Sequence, residues 1–576
     1  MERILNFKRL LGHLTVVLVG LLPAVAAAQP VASPVAAVIQ PTMRLQIPPP
    51  RLRTWKEMEA AAALEAAGPS RPPRVKPFLP TIDAATYRQL KAQAAQNRAL
   101  QAPATPGISG LAPLAATVLT NPINFEGVDS VTAGNWRPPD TEGAVGLNHF
   151  VEITNSHLDI YEKAAPNNLV KSMDLNSFFG YTKPTWPNAQ SMFDVRVIYD
   201  PVSQRWIVSS DAFAESTTTQ WFFFAVSQTA DPTGNYFIYN VNVSDNNNVV
   251  GGVEWDFPQV GLDQNAVIFT ANFFPGLGGY EARMFAVAKS LLYNGPSTTL
   301  NPTVFTGLTG TLSAPIVLDT NPTTYLVAAD SGINVNTVTI YTLTNSAANP
   351  PTLSPSATIT VPTYSFPLNA PQPGTTALLD TSDARFVNAG TQIGDSLFQV
   401  HSISISPTTQ DRAICRFYEF NVKNKTVIQH GDFSRSGTSF DFNVSIAANR
   451  HKDVFVTWSA TDPNNPNPDP ADRVNAEVRF SGRLHTDPAG VIPSPGSLLP
   501  GGSSGTFYNI TQDPIGNQRW GDYSAVSLDP ADPSGATAWI VNEKILTNTT
   551  WGSRIGSIRL PVKTPLPFVD LLLLGD

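Results

Sequence analysis

The chain has 576 residues, among them 51 prolines, 38 glycines and a single cysteine, and only 14% of its side chains are charged. At 42% hydrophobic it is too apolar to be disordered throughout, and it is too long for one ordinary domain. The lone Cys415 excludes an intramolecular disulfide framework and any CxxC-type zinc or redox site, and a net charge of −8 argues against binding to nucleic acid.

In chain order, residues 1–28 predict an export signal. Arg3, Lys8 and Arg9 precede an apolar run from Leu10 to Val25, and Ala26-Ala27-Ala28 supplies a small-residue cleavage site. The run is short and lacks a basic stop, so a membrane anchor is the weaker reading, and no later window is apolar enough to span a bilayer. The expected location is secreted or periplasmic, in a bacterium. Residues 29–115 read as a Pro/Ala-rich, basic, partly helical arm with ten Lys/Arg against four Asp/Glu. Two Ala-rich stretches in it, Trp55 to Ala67 and Ala84 to Leu100, predict short helices, the second capped by Thr81 or Asp83. Ala102 to Pro113 is a linker. Removing the signal and the arm leaves a body of charge −16 beside an arm of +6. That asymmetry permits an arm laid on the body; a flexible tether is the simpler expectation.

From residue 116 to 562 short Val/Ile/Phe/Tyr/Thr runs alternate with Gly, Pro, Asn and Asp turns, which predicts an all-β body, followed by a tail at 563–576. A phrase recurs: an aromatic or polar residue with Asp, a few apolar residues, Asp at a turn, then a second strand. It starts near 140, 194, 256, 314, 383, 441 and 522. The spacing suits blades with loop insertions, and the expectation is a β-propeller of seven blades rather than a tandem of β-sandwiches.

Two segments, Arg137-Pro138-Pro139-Asp140-Thr141-Glu142-Gly143-Ala144-Val145-Gly146 and Gln518-Arg519-Trp520-Gly521-Asp522-Tyr523-Ser524-Ala525-Val526, resemble the opening and closing signatures of a group of mostly uncharacterised exported bacterial β-propeller proteins. The resemblance spans roughly Phe125 to Arg559. It implies the fold and export, and no particular chemistry; the S-x-D-x-G-x-x-W repeat of sialidases is absent.

Standard catalytic phrases are also absent, and no cofactor or metal site is expected; Asp245 to Asn248 reads as a solvated turn rather than a calcium loop. The recurring phrase supplies the candidate binding residues: Asp140, Asp194, Arg196, Asp256, Arg385, Asp441, Arg519 and Asp522, with Gln259 and Asn443 beside them. Asp194–Arg196 and Asp383–Arg385 are two apart on a strand, so each pair should share a face. They either neutralise one another as scaffold, or form a channel mouth that grips a charged or hydroxyl-rich ligand. Catalytic residues remain unknown. One function to expect is a binding protein for a glycan or an envelope protein, with Trp136, Trp186, Tyr280 and Trp551 as exposed-looking aromatics. The alternative is a secreted glycoside hydrolase or lyase acting on an acidic polysaccharide, and a third, weaker reading is a scaffold regulated by its arm.

Overall fold

A computed structural model describes residues 37–67, 75–76, 79, 85–89, 91, 119–245, 252–275, 280–404, 412–463, 474–510 and 517–561. The expected signal, the linker, the C-terminal tail, Asn246 to Asn248 and the proposed caps Thr81 and Asp83 lie outside these residues.

The body is all-β and arranged as a β-propeller. Five discrete blades are antiparallel meanders. The first runs Glu142–Val145, His149–Thr154, His157–Glu162 and Leu169–Asp174. The next runs from Met192–Asp200 to Tyr236–Asn242, and the arm strand Arg51–Arg53 pairs with its last member. A third contains Thr323–Ala329 and Val335–Thr344, and a fourth begins with Phe440–Ala448. The fifth, Ala525–Leu528 to Thr550–Arg559, is completed by Thr120–Asp129, so a strand from before the first blade closes the ring.

The expected seven separate blades are not what the pairing shows. Two further meanders, one starting at Trp255–Leu262 and one at Thr391–Ile393, are fused into a single ten-stranded sheet. Ile316–Val317 lies between them, parallel to both. Glycine makes this possible: a Cβ on Gly261 would stand 2.6 Å from the Ala314 carbonyl, and one on Gly390 would stand 2.4 Å from the Phe398 oxygen. With hydrogen there instead, Leu262 N–H donates to Pro315 O at 3.1 Å and Ile316 N–H to Gly390 O at 2.8 Å.

Strands such as Trp255–Leu262 and Ser396–Ile403 are buried along their whole length. Neighbouring sheets cover both faces of a blade, which is why the sequence shows continuous apolar runs such as Trp221 to Ala225 rather than alternation. Cys415 is fully buried in such a layer, against Phe433 and Val456. Trp136 and Trp551 are buried too, the Trp551 indole donating to Trp136 O at 2.7 Å, so these aromatics pack the fold and Trp186 and Tyr280 are only partly exposed.

The arm is not a free tether where it is described. Trp55–Ala67 is helical as expected, and Trp55 packs on Phe178 while its indole donates to Pro232 O at 3.1 Å. Arg53 donates to the Ser177 and Phe178 carbonyls at 2.5 and 3.0 Å. Met43–Arg44 adds an edge strand to the ten-stranded sheet.

Candidate functional site

A shared backbone device sets the geometry of the channel. Asp140, Asp194, Phe257 and Asn443 adopt left-handed backbone, with φ of 49°, 51°, 55° and 50°. In three of the four strands the register slips at that point, between Phe193 and Arg196, Asp256 and Gln259, and Phe442 and Ser445. Each is a bulge that re-aims the following side chains. The sequence alignment of the repeats is therefore displaced by one at Asp256 and by two at Asp441: the residues equivalent to Asp194 are Phe257 and Asn443. Two positions further along stand Glu142, Arg196, Gln259 and Ser445.

Those four, with Asn388 and Ser524, form a polar ring across the channel. Arg196 donates to Glu142 at 3.0 Å, to Asn388 Oδ1 at 2.7 Å and to Val387 O at 2.8 Å, with its guanidinium 3.5 Å from the centre of the Tyr523 ring. Asn388 Nδ2 donates to Ser524 O at 2.7 Å and to the Ser445 hydroxyl, which itself lies 2.7 Å from Ser524 Oγ. Gln259 Nε2 donates to Val387 O at 2.8 Å. Burial pushes the Glu142 carboxyl up to about 7, against the pull of Arg196.

On one side of the ring lies a cavity of about 120 Å³ with largely apolar walls, including Val145, Val197, Val260 and Ile446. It opens between Pro201, Leu318 and Pro530, which are exposed or half-exposed.

On the other side is an acidic vault. Asp140, Asp194, Asp211, Asp256, Asp522 and Glu543 are all at most 3% exposed. Its cations are Arg519, which donates to Asp522 at 2.9 Å and to Asp380 at 3.0 Å, and Lys76 from the arm. The Lys76 ammonium donates to Asp194 and, at 3.2 Å, to Asp522, and lies 3.7 Å from Asp256. Despite burial, Arg519 and Lys76 hold Asp522 well below the usual carboxylate range. Burial, reinforced by Asp522, pushes Asp140 up to about 7. Burial raises Asp211, Asp256 and Glu543 further. The vault thus sets Lys76 and Arg519 against an ionised Asp522 and holds Asp140, Asp211, Asp256 and Glu543 above the ordinary carboxylate range.

The structure brings Asp140, Asp194, Asp256, Arg519 and Asp522 together here, buried rather than displayed at an open mouth. Arg196 belongs to the ring instead: the bulge separates it from Asp194, so this expected pair does not form. Asp383 and Arg385 do pair, at 2.7 and 2.6 Å, the self-neutralising arrangement. Asp441 is held apart from the vault, accepting from Ser439 Oγ, Arg435 N and Trp458 Nε1 and lying 3.7 Å from the Arg412 guanidinium. Nearest oxygens of Asp140, Asp194 and Asp522 lie within 4.8 Å of one another, a spacing that suits a cation as well as Lys76. Sequence reasoning missed Lys76, Glu142, Asn388, Ser445 and Ser524. The opposite charges of arm and body were the one signal pointing to Lys76.

No protein-family profile matches the sequence, and no curated protein matches it. Solved structures that it resembles include a subtype N10 neuraminidase-like protein of A/little yellow-shouldered bat/Guatemala/060/2010 (9% identity, 56% of this chain and 90% of that one, TM-score 0.31). Others are a thermostable family-43 glycoside hydrolase (10%, 65% and 95%, TM-score 0.28) and a protein of unknown function from Dyadobacter fermentans (9%, 64% and 95%, TM-score 0.35). Likeness at this level assigns no function.

Proposed function

We propose that the protein is an exported, non-catalytic β-propeller that binds the end of a glycan chain, or of an envelope protein segment, in the open half of its channel. The observation that carries this reading is the polar ring at the floor of an apolar-walled cavity. Hydroxyls, two amides, a guanidinium and a carboxyl converge there from separate segments of the chain, the mixture of donors and acceptors that orients a hydroxyl-rich group. A volume of about 120 Å³ admits a chain end rather than a whole oligosaccharide. The test is calorimetric titration with a panel of neutral and uronic-acid oligosaccharides, with reducing ends followed in parallel. Binding without turnover supports the reading; turnover refutes it.

One observation favours a second reading, a hydrolase or lyase for acidic polysaccharide. Asp140, pushed up to about 7, accepts from the backbone N–H of Asp522, whose carboxyl is held ionised. Neighbouring carboxyls with divided protonation are the pattern of an acid and its partner base. In the present structure Lys76 and Arg519 occupy that pair.

A further inference from the structure

None of the vault's acids, nor Lys76, lines the cavity at the open half of the channel, and the vault's construction points to a ligand of its own. We propose that it is a recognition site for the primary ammonium of a lysine side chain on an extended polypeptide, with Lys76 of the chain's own arm seated there in cis.

Three features carry this. First, the ammonium meets two different kinds of wall. Carboxyl groups of Asp194, Asp522 and Asp256 face it, and the rings of Phe193, Phe257 and Tyr523 surround it with centroids 5.9, 5.8 and 6.0 Å away. Aromatic faces attract an organic cation and offer a metal ion no ligand atom, whereas a hard divalent cation seeks six or more oxygens. Second, the segment is held by its backbone as well. Val75 pairs in parallel with Arg137, and the Lys76 N–H donates to Arg137 O at 2.9 Å. This single parallel bridge, outside any sheet, uses the main chain to set the position from which one side chain enters the pocket, as backbone pairing does for an extended peptide. Third, the acidic wall exceeds what Lys76 uses. Both oxygens of fully buried Asp211, and the Asp522 oxygen turned away from Lys76, have no hydrogen-bond partner among the described residues. Because Lys76 is tethered, its effective concentration is high, and a second lysine-bearing segment must compete at millimolar level.

Chemical rescue tests the proposal on the full chain. Lys76→Ala deletes Cγ, Cδ, Cε and Nζ, the atoms of n-propylammonium. The variant should melt roughly 5 °C or more below wild type. Millimolar n-propylammonium should restore that loss saturably while leaving wild type unmoved, and 1-propanol and calcium chloride should not restore it. No restoration, or equal restoration by calcium or by 1-propanol, overturns the proposal. A second measurement does not depend on the variant folding. In wild type, a synthetic peptide with the sequence of residues 72–79 should accelerate hydrogen exchange at the Lys76 amide at least tenfold, and the same peptide with its lysine replaced by methionine should not. Equal effects of the two peptides, or no effect of either, overturn it.

Discussion

The ammonium of Lys76 lies 3.2 Å from the Asp522 carboxylate, 446 residues further along the chain. This contact joins the arm to the last blade and, through Asp194 and Asp256, to two others. Each partner is at most 3% exposed. Removing the cation leaves buried carboxylates without compensation. Lys76→Met, which keeps the apolar stem, is therefore expected to lose about 3–5 kcal/mol at pH 7, read by urea denaturation. The sign with pH follows from the raised lysine: its contribution is present at neutral pH and is lost only as pH rises past the ordinary lysine range.

Glu152 gives the opposite dependence. Burial, with Asp159 nearby, pushes its carboxyl up to about 8, while its one backbone donor is Val128 N at 2.8 Å. The folded state therefore binds a proton that the unfolded chain has released. Stability should fall between about pH 4.5 and 8, by up to about 1.4 kcal/mol per pH unit from this group. Glu152→Gln should match wild type near pH 5 and exceed it at pH 8. Chemical denaturation at both pH values checks this.

The fused sheet depends on the missing side chain of Gly261. A methyl there would stand 2.6 Å from the backbone of Ala314, which cannot swing away as a side chain would. Gly261→Ala is expected to cost about 1–3 kcal/mol or more, measured by urea denaturation. Substitution at Gly437, where a Cβ meets nothing within 4 Å, should cost far less.

Cys415 is buried, and burial drives its thiol well above the ordinary range. A thiol-specific reagent should find no reactive group in the native protein at pH 8 and one after denaturation.

Much of this architecture was legible in the sequence. Short β runs, the recurring Asp phrase and the helix Trp55–Ala67 all follow from local pattern. The blade count did not, because the fusion rests on hydrogen at Gly261 and Gly390, and a glycine in a strand reads equally as a bulge or a close approach. The site was half legible. Asp140, Asp194, Asp256, Arg519 and Asp522 converge, but the bulges that shift Asp256 by one position and Asp441 by two leave no mark on a sequence alignment of the repeats. A left-handed Phe257 is the extreme case: no propensity argument places a bulky residue there. Lys76 was hidden for another reason. A single lysine in a proline-rich arm carries no motif, and only long-range pairing makes it part of the vault.

On the proposed function, ligand enters the open half of the channel and is read by the polar ring. Ala447 lines that cavity on the strand Phe440–Ala448, two residues beyond Ser445. Ala447→Phe fills the space without replacing any ring residue. The most direct measurement is calorimetric titration of wild type and Ala447→Phe with whichever oligosaccharide of the panel binds, both proteins shown by circular dichroism to be folded. At least a tenfold loss of affinity in Ala447→Phe is expected; unchanged affinity would place the ligand outside this cavity and refute binding at the polar ring.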